Sequence, residues 1–167
     1  MKKILVIGCP GSGKSTFARQ LRDMTGLPLH YLDRIWHKPD RTTVSREAFD
    51  AALTEILAQD AWIIDGNYSR TLERRIAACD AVFLMDYPTD VCLAGAAARV
   101  GQVREEMPWT EETLDPEFAQ YIRDFAARQL PRVYELLAQY GEGREIVIFR
   151  SREEADAWLR LYEARKA

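Results

Sequence analysis

Long apolar runs are missing. Although 47% of the 167 residues are hydrophobic, the apolar stretches stop after a handful of positions, so a membrane-crossing helix is not expected. Cysteine is scarce: Cys9, Cys79 and Cys92 are odd in number and form neither a Cys-x-x-Cys pair nor a cluster with histidine at zinc spacing. That excludes a disulfide framework and a structural zinc site, and it fits a reducing cytoplasm. Positive charge is not in surplus either. With 23 Lys and Arg against 26 Asp and Glu, the formal net charge of -3 offers no general attraction to nucleic acid or to an anionic membrane. No internal repeat or linker interrupts the chain, and Met-Lys-Lys runs straight into an apolar stretch broken by Gly8 and Pro10, so no targeting segment is expected. The length suits one filled core, and hence a single domain over 1–167.

What is present is an alternation of strand-like and helix-like segments. Lys3–Ile7 is a short apolar run ended by Gly8, and Lys14–Thr25 has helical spacing at Phe17, Ala18 and Leu21, closed by Gly26 before Pro28. Pro28–Leu32, Trp62–Ile64, Ala81–Met85 and Glu145–Phe149 are further strand candidates. Between them, Ser45 starts a helix carrying Phe49, Leu53 and Ile56, Ser69–Ala78 forms another, and Thr89 is placed to cap a third. Asp115-Pro116-Glu117 has the cap, proline and acid of a helix start, and Pro131 should divide that segment before Tyr140. Ser151 and Glu154 form a capping box for a last helix with Ala155, Trp158, Leu159 and Tyr162 inward. Such alternation predicts an α/β fold: a five-stranded parallel sheet with helices on both faces, in three layers. Ligands of such sheets bind at the carboxyl ends of the strands, where Gly8, Asp33, Asp65, Asp86 and Arg150 gather.

Gly8-Cys-Pro10-Gly11-Ser12-Gly13-Lys14-Ser15-Thr16 lies between the first strand and the first helix and matches G-x-x-x-x-G-K-[ST]. Backbone amides surround a polyphosphate only where no Cβ blocks the approach, and the following helix turns its positive end to the same place. Lys14 is expected to reach the β and γ phosphates, and Ser15 to place its hydroxyl on Mg2+. Of the acids at neighbouring strand ends, Asp65 suits the metal, while Asp86 is expected to fix its own loop by accepting local backbone bonds.

Trp62-Ile-Ile-Asp65-Gly66-Asn67-Tyr68-Ser69-Arg70 resembles the Asp-Gly-Phe-Pro-Arg stretch of nucleotide kinases, and with the loop it makes the chain similar to the adenylate kinase-like branch of P-loop kinases. Leu32-Asp33-x-x-Trp36-x-x-Pro39 followed by Asp65-Gly66-Asn67-Tyr68 looks like the bacterial group named topology modulation proteins, itself adenylate kinase-like. The resemblance implies ATP and Mg2+, a magnesium held by Asp65 through water, and contact of Arg70 with the transferred phosphoryl group or an acceptor phosphate. Kinases of sugar acids or of shikimate carry an Asp comparable to Asp33, whose carboxylate receives the acceptor hydroxyl. Arg34, His37, Lys38 and Arg41 would meet anionic parts of an acceptor, or Trp36 would stack on a base. The acceptor-binding segment thus runs over about 33–60.

The resemblance further implies a lid-like segment over about 99–120, in which Arg99 and Arg104 meet the phosphates. The position of an adenine-stacking arginine falls on Gly95, and Arg150-Ser151 lies where related kinases bring backbone against adenine. Glu105, Glu106, Glu111, Glu112, Asp115 and Glu117 follow with no Lys or Arg among them. These acids suggest a solvated, mobile stretch. Arg123, Arg128 and Arg132 either meet phosphates or pair with the acids, pairing being favoured. The expected activity is transfer of the γ-phosphoryl group to a small-molecule acceptor, nucleotide-like or hydroxyl-bearing. The alternative is an ATP-binding switch acting on DNA topology or a protein partner.

Overall fold

Each of the five apolar runs is a strand, and the stretches between them carry the chain back as helices, so every strand pairing is parallel. The computed structural model describes residues 1–167. Along the chain come β1 (Lys3–Gly8), α1 (Lys14–Thr25), β2 (Leu29–Tyr31), α2 (Leu32–Trp36), α3 (Arg46–Leu57), β3 (Trp62–Asp65) and α4 (Ser69–Ala78). They are followed by β4 (Ala81–Met85), α5 (Thr89–Ala98), α6 (Pro116–Arg128), α7 (Leu130–Tyr140), β5 (Glu145–Phe149) and α8 (Arg152–Lys166). The sheet order is β2-β3-β1-β4-β5.

β1, β3 and β4 occupy the middle of the sheet and are buried almost throughout, which is why they are continuous apolar runs with no alternation. On one face, Phe17 of α1 meets Phe83 and Phe149 at centroid distances of 5.2 and 5.4 Å, and Trp158 of α8 lies 4.8 Å from Phe83. Those four rings lock α1 and α8 onto β4 and β5. No helix is long and apolar enough to cross a membrane.

The helix ends follow their local chemistry. Gly26 takes φ 73° and returns its N–H to Arg22 O, Ser45 Oγ accepts from Ala48 N, and Asp115 accepts from Glu117 N beside Pro116. The expected division at Pro131 is present, since α6 ends at Arg128 and α7 starts at Leu130.

Three local expectations are corrected. Leu32 is not the last residue of β2 but the first of α2: Tyr31 pairs with Asp65, where β3 ends, so Leu32 has no strand to pair with. Thr89 does not cap α5, because the cap position is Pro88 and no side chain bonds there. In the box at α8, Ser151 Oγ accepts from Glu154 N at 3.2 Å, but the Glu154 carboxylate reaches back to Arg150 N at 2.7 Å.

Candidate functional site

Parallel registry brings the polar strand ends together. Val6 pairs with Asp65 and Gly8 with Met85, so the loop after β1 opens between the ends of β3 and β4. Asn67 completes that junction, donating to Gly8 O at 2.7 Å and accepting from Gly8 N at 3.1 Å. It continues the ladder by one residue and fixes the direction in which the loop leaves the sheet.

The loop then turns through Gly11, at φ 84°, where a Cβ would lie 2.0 Å from the carbonyl oxygen of Cys92 in α5. Gly95 answers it from α5: a Cβ there would lie 2.0 Å from Gly11 O. Loop and helix therefore touch backbone to backbone, and position 95 is closed to any side chain. Arg152 of α8, unremarked in the sequence, reaches the same spot and donates to Gly11 O at 3.1 Å.

Behind the loop, Ser15 Oγ donates to Asp65 Oδ2 at 2.5 Å, while Asp65 Oδ1 is buried and has no partner. Burial pushes the Asp65 carboxyl up to about 6, against the pull of Lys14 and the Ser15 bond. A buried carboxylate oxygen with no donor, beside a hydroxyl and an amine, is an arrangement that fits a hard divalent cation on phosphate oxygens.

Three cavities converge here. One of about 660 Å3 is lined by Gly11–Thr16, Tyr87, Gly95, Arg99, Arg104 and Arg152. A second, of about 330 Å3, lies between Pro10, Asp33, Trp36, Asp65, Tyr68 and Phe118. These two share Lys14, Ser15, Arg99 and Glu106. The third, of about 580 Å3, runs outward from Asp33, His37 and Arg99 past Trp109. Arg99 lines all three; its charge is disfavoured first by burial and then by Arg104, so its pKa falls below the usual arginine value.

Asp33 stands opposite the phosphate loop, its Oδ1 accepting from Tyr68 OH at 2.7 Å. Tyr68 has φ 40°, a left-handed conformation unusual for a residue with a Cβ. Arg75 of α4 explains how it is held. Fully buried, with no carboxylate partner, its guanidinium donates to the carbonyls of Gly66 and Tyr68, each at 2.9 Å, and to that of Asn67. Burial lowers its pKa. One side chain thus clamps the turn that carries Asp65, Asn67 and Tyr68.

Within the segment over about 99–120, Glu105, Glu112, Asp115 and Glu117 are exposed as expected, but Glu106 and Glu111 are not simply solvated. Glu106 is 6% exposed and pairs with Arg19 at 2.9 Å and Arg104 at 3.0 Å. Glu105 pairs with Arg22 at 2.7 Å, Glu111 with Arg104 at 3.4 Å and Glu112 with Arg41 at 3.6 Å. Arg132 pairs instead with Glu73 and Glu135, and Arg123 and Arg128 are exposed on α6. The acids meet arginines of α1, of the loop before α3 and of their own segment, whereas Arg132 faces α4.

Several expected site residues are placed elsewhere. Arg34 donates to the carbonyls of Glu105 and Met107, at 2.5 and 3.3 Å, and so holds the lid. Arg70 is turned to Asp50 of α3 with two bonds, 2.7 and 3.0 Å, and lines none of the three cavities. The Arg150 side chain, 62% exposed, pairs with Asp86, and Arg150 lines none of the three cavities. Asp86 accepts no local backbone bond but takes the Tyr134 hydroxyl at 2.5 Å and the Arg150 guanidinium. Registry causes this: Met85 pairs with Phe149, so Asp86 and Arg150 emerge side by side. Trp36, half-buried, packs edge-on against Phe49 at 5.8 Å and presents its remaining surface to the smaller cavity.

No family model matches the chain, and no curated protein does. Solved structures do. A shikimate kinase from Acinetobacter baumannii in complex with shikimate superposes with a TM-score of 0.61 at 18% identity, over 99% of this chain and 95% of that one. A shikimate kinase from Bacteroides thetaiotaomicron gives 0.57 at 17%, over 98% of each chain. The chain therefore has the fold of these kinases, a five-stranded parallel sheet with helices around it. The finer likeness to the topology modulation group rests on the sequence motifs alone.

Proposed function

We propose that this chain is a kinase that passes the γ-phosphoryl group of ATP, with Mg2+, to a hydroxyl of a small molecule. The observation that carries the reading is the junction of the larger and smaller cavities at Lys14, Ser15 and Arg99, with Asp65 behind it and Asp33 on the far side. A donor in the larger cavity and an acceptor in the smaller one meet where the cations are.

The amides at the start of α1 and the Lys14 ammonium bind the β and γ phosphates. Ser15 and Asp65 are the residues that hold Mg2+, which when bound offsets phosphate charge. Asp33, oriented by Tyr68, accepts the proton of the acceptor hydroxyl as that oxygen bonds to phosphorus and the bond to the β–γ bridging oxygen breaks, leaving ADP. Arg99, with its side chain 23% exposed, meets the charge on the moving group more strongly than an exposed arginine would. Arg152 extends the positive lining towards the rest of the nucleotide. Catalysis then comes from position and charge, with no covalent enzyme intermediate.

The A. baumannii neighbour was solved with shikimate, a hydroxylated acid, which supports a hydroxyl acceptor here. A switch acting on DNA would need to overcome a net charge of -3, which favours the enzyme reading. Incubation with γ-labelled ATP, Mg2+ and metabolite pools tests it. A labelled small molecule is expected, and free phosphate alone from every pool would sink the proposal.

A further inference from the structure

We infer that the acceptor is uncharged and presents a flat ring beside its hydroxyl, the chemistry of a nucleoside. This rests on the kinase reading for the hydroxyl, but the ring and the charge come from the walls of the smaller cavity. Trp36 and Tyr68 stand on the side of Asp33, and Phe118 and Tyr121 reach in from α6. The Phe118 and Tyr121 rings are nearly parallel, at 7° and 6.5 Å, so they form a continuous apolar wall. A volume of about 330 Å3 between aromatic walls, with a carboxylate at one end, has the size and shape for one ring system and its hydroxylated arm.

The cations argue the charge. An acceptor carrying a carboxylate or phosphate needs a free arginine or lysine. Arg34 is committed to two lid carbonyls, Arg70 to Asp50, Arg104 to Glu106 and Glu111, and Arg41 to Glu112 while lying over Trp109. Glu106 is neutralised by Arg19 and Arg104, so what remains at the cavity is Lys14 and Arg99, the latter 3.9 Å from Glu111, against Asp33 and Asp65. Both cations also face the phosphates of the donor. With Lys14 and Arg99 engaged by the donor, a second anion would find no free cation in the cavity, so an anionic acceptor is disfavoured. A cationic acceptor finds the Phe118 face already taken, because Arg99 lies over that ring at 5.6 Å, and with Lys14 beside it the two cations balance the two carboxylates.

The test is equilibrium binding of the intact protein, loaded with Mg2+ and a non-hydrolysable ATP analogue, to three sets of probes. These are ribo- and deoxyribonucleosides, their 5′-monophosphates with shikimate, and amine-bearing alcohols such as choline. At least one nucleoside should bind tenfold or more tightly than its own monophosphate, shikimate or any amine. Tyr121→Ala should weaken that nucleoside on the order of tenfold, as loss of one stacking ring does, while Tyr121→Phe keeps it and both keep the affinity for the ATP analogue. Preference for any anion or amine, or no binding by any nucleoside, overturns the inference. A nucleoside that binds but never receives label from ATP would count against the kinase reading and leave this one standing. A labelled anionic acceptor from cell extract would do the reverse.

Discussion

The two sides of the candidate site are built by different means. On the donor side the shape is made by backbone: glycines that allow the Gly11–Gly95 contact, a ladder prolonged by Asn67, and a helix start. On the acceptor and lid side it is made by side chains that meet across long separations, Arg34 with the carbonyls of Glu105 and Met107, Arg19 with Glu106 and Tyr68 with Asp33. The difference teaches that backbone construction tolerates almost no change at a few positions, whereas side-chain construction spreads its dependence over many pairs. Single substitutions should therefore do more on the first side than on the second.

The largest effect expected is that of Lys14→Ala. It removes the only lysine facing the junction of the two cavities, and ATP affinity measured by calorimetry should fall by a factor on the order of a hundred, with the thermal midpoint unchanged. Retained affinity would dissolve the distinction at its centre. Next comes Arg75→Leu, which leaves three loop carbonyls without their buried donor. A stability loss of about 3 kcal/mol is expected in denaturant titration, with Asp65, Asn67 and Tyr68 all released from one turn. Gly95→Ala follows. Alanine is the better helix former by roughly 1 kcal/mol, so a contest of propensity alone predicts stabilisation. A methyl 2.0 Å from a carbonyl oxygen predicts instead a loss of about 1–3 kcal/mol and weaker nucleotide binding. The sign of the change in midpoint separates the two.

That division also governs what could be seen in advance. The order of the elements and the phosphate loop were legible because their causes are local: apolar runs ended by glycine, cap residues, and a glycine pattern whose spacing is itself the mechanism. Leu32 belongs to α2 rather than to β2 because the length of an edge strand is decided by its partner, and β3 stops at Asp65. The pairing of the acids at 105–112 is hidden for a similar reason. Their carboxylates carry no local sign of Arg19 and Arg22, which come from α1, about eighty positions earlier in the chain. Arg75 and Arg152 left no local mark, since a buried or a loop-facing arginine looks the same in sequence as an exposed one; only Asn67, within a motif already noticed, lay in plain view.

The two carboxylates that close the site should titrate in opposite directions. Asp65 is pushed from 3.8 up to about 6 by burial, so the folded protein holds a proton that the unfolded chain has released, and stability falls as pH rises through that window. For Glu106 burial acts in the same sense but is outweighed by its hydrogen bonds and by Arg19 and Arg104, leaving it below 4.5. Its contribution is therefore complete above 4.5 and lost as pH falls through the lower folded value. Without nucleotide or metal, the midpoint advantage of Asp65→Asn over wild type should grow between pH 4 and pH 6, while the deficit of Glu106→Gln should shrink on acidification. Parallel pH profiles for the two variants would erase this contrast.

The smallest effect is expected at Arg70, and it sharpens the comparison most. Its ion pair with Asp50 lies on the surface, 45% and 39% exposed, where solvent screens most of the attraction, so Arg70→Ala should leave the denaturation midpoint where it is. The kinase resemblance implies contact of Arg70 with the transferred phosphoryl group or an acceptor phosphate, whereas the geometry pairs it with Asp50 of α3. If Asp50 holds it there throughout turnover, Arg70→Ala and Asp50→Ala should both keep kcat and KM within about twofold, as surface changes usually do. If Arg70 swings in when the lid is loaded, the two variants should diverge, with Asp50→Ala releasing the guanidinium and Arg70→Ala lowering kcat. We expect no divergence, because the cation at the junction is already supplied by Arg99, which lines all three cavities, and a second one would have to break two good bonds to reach it.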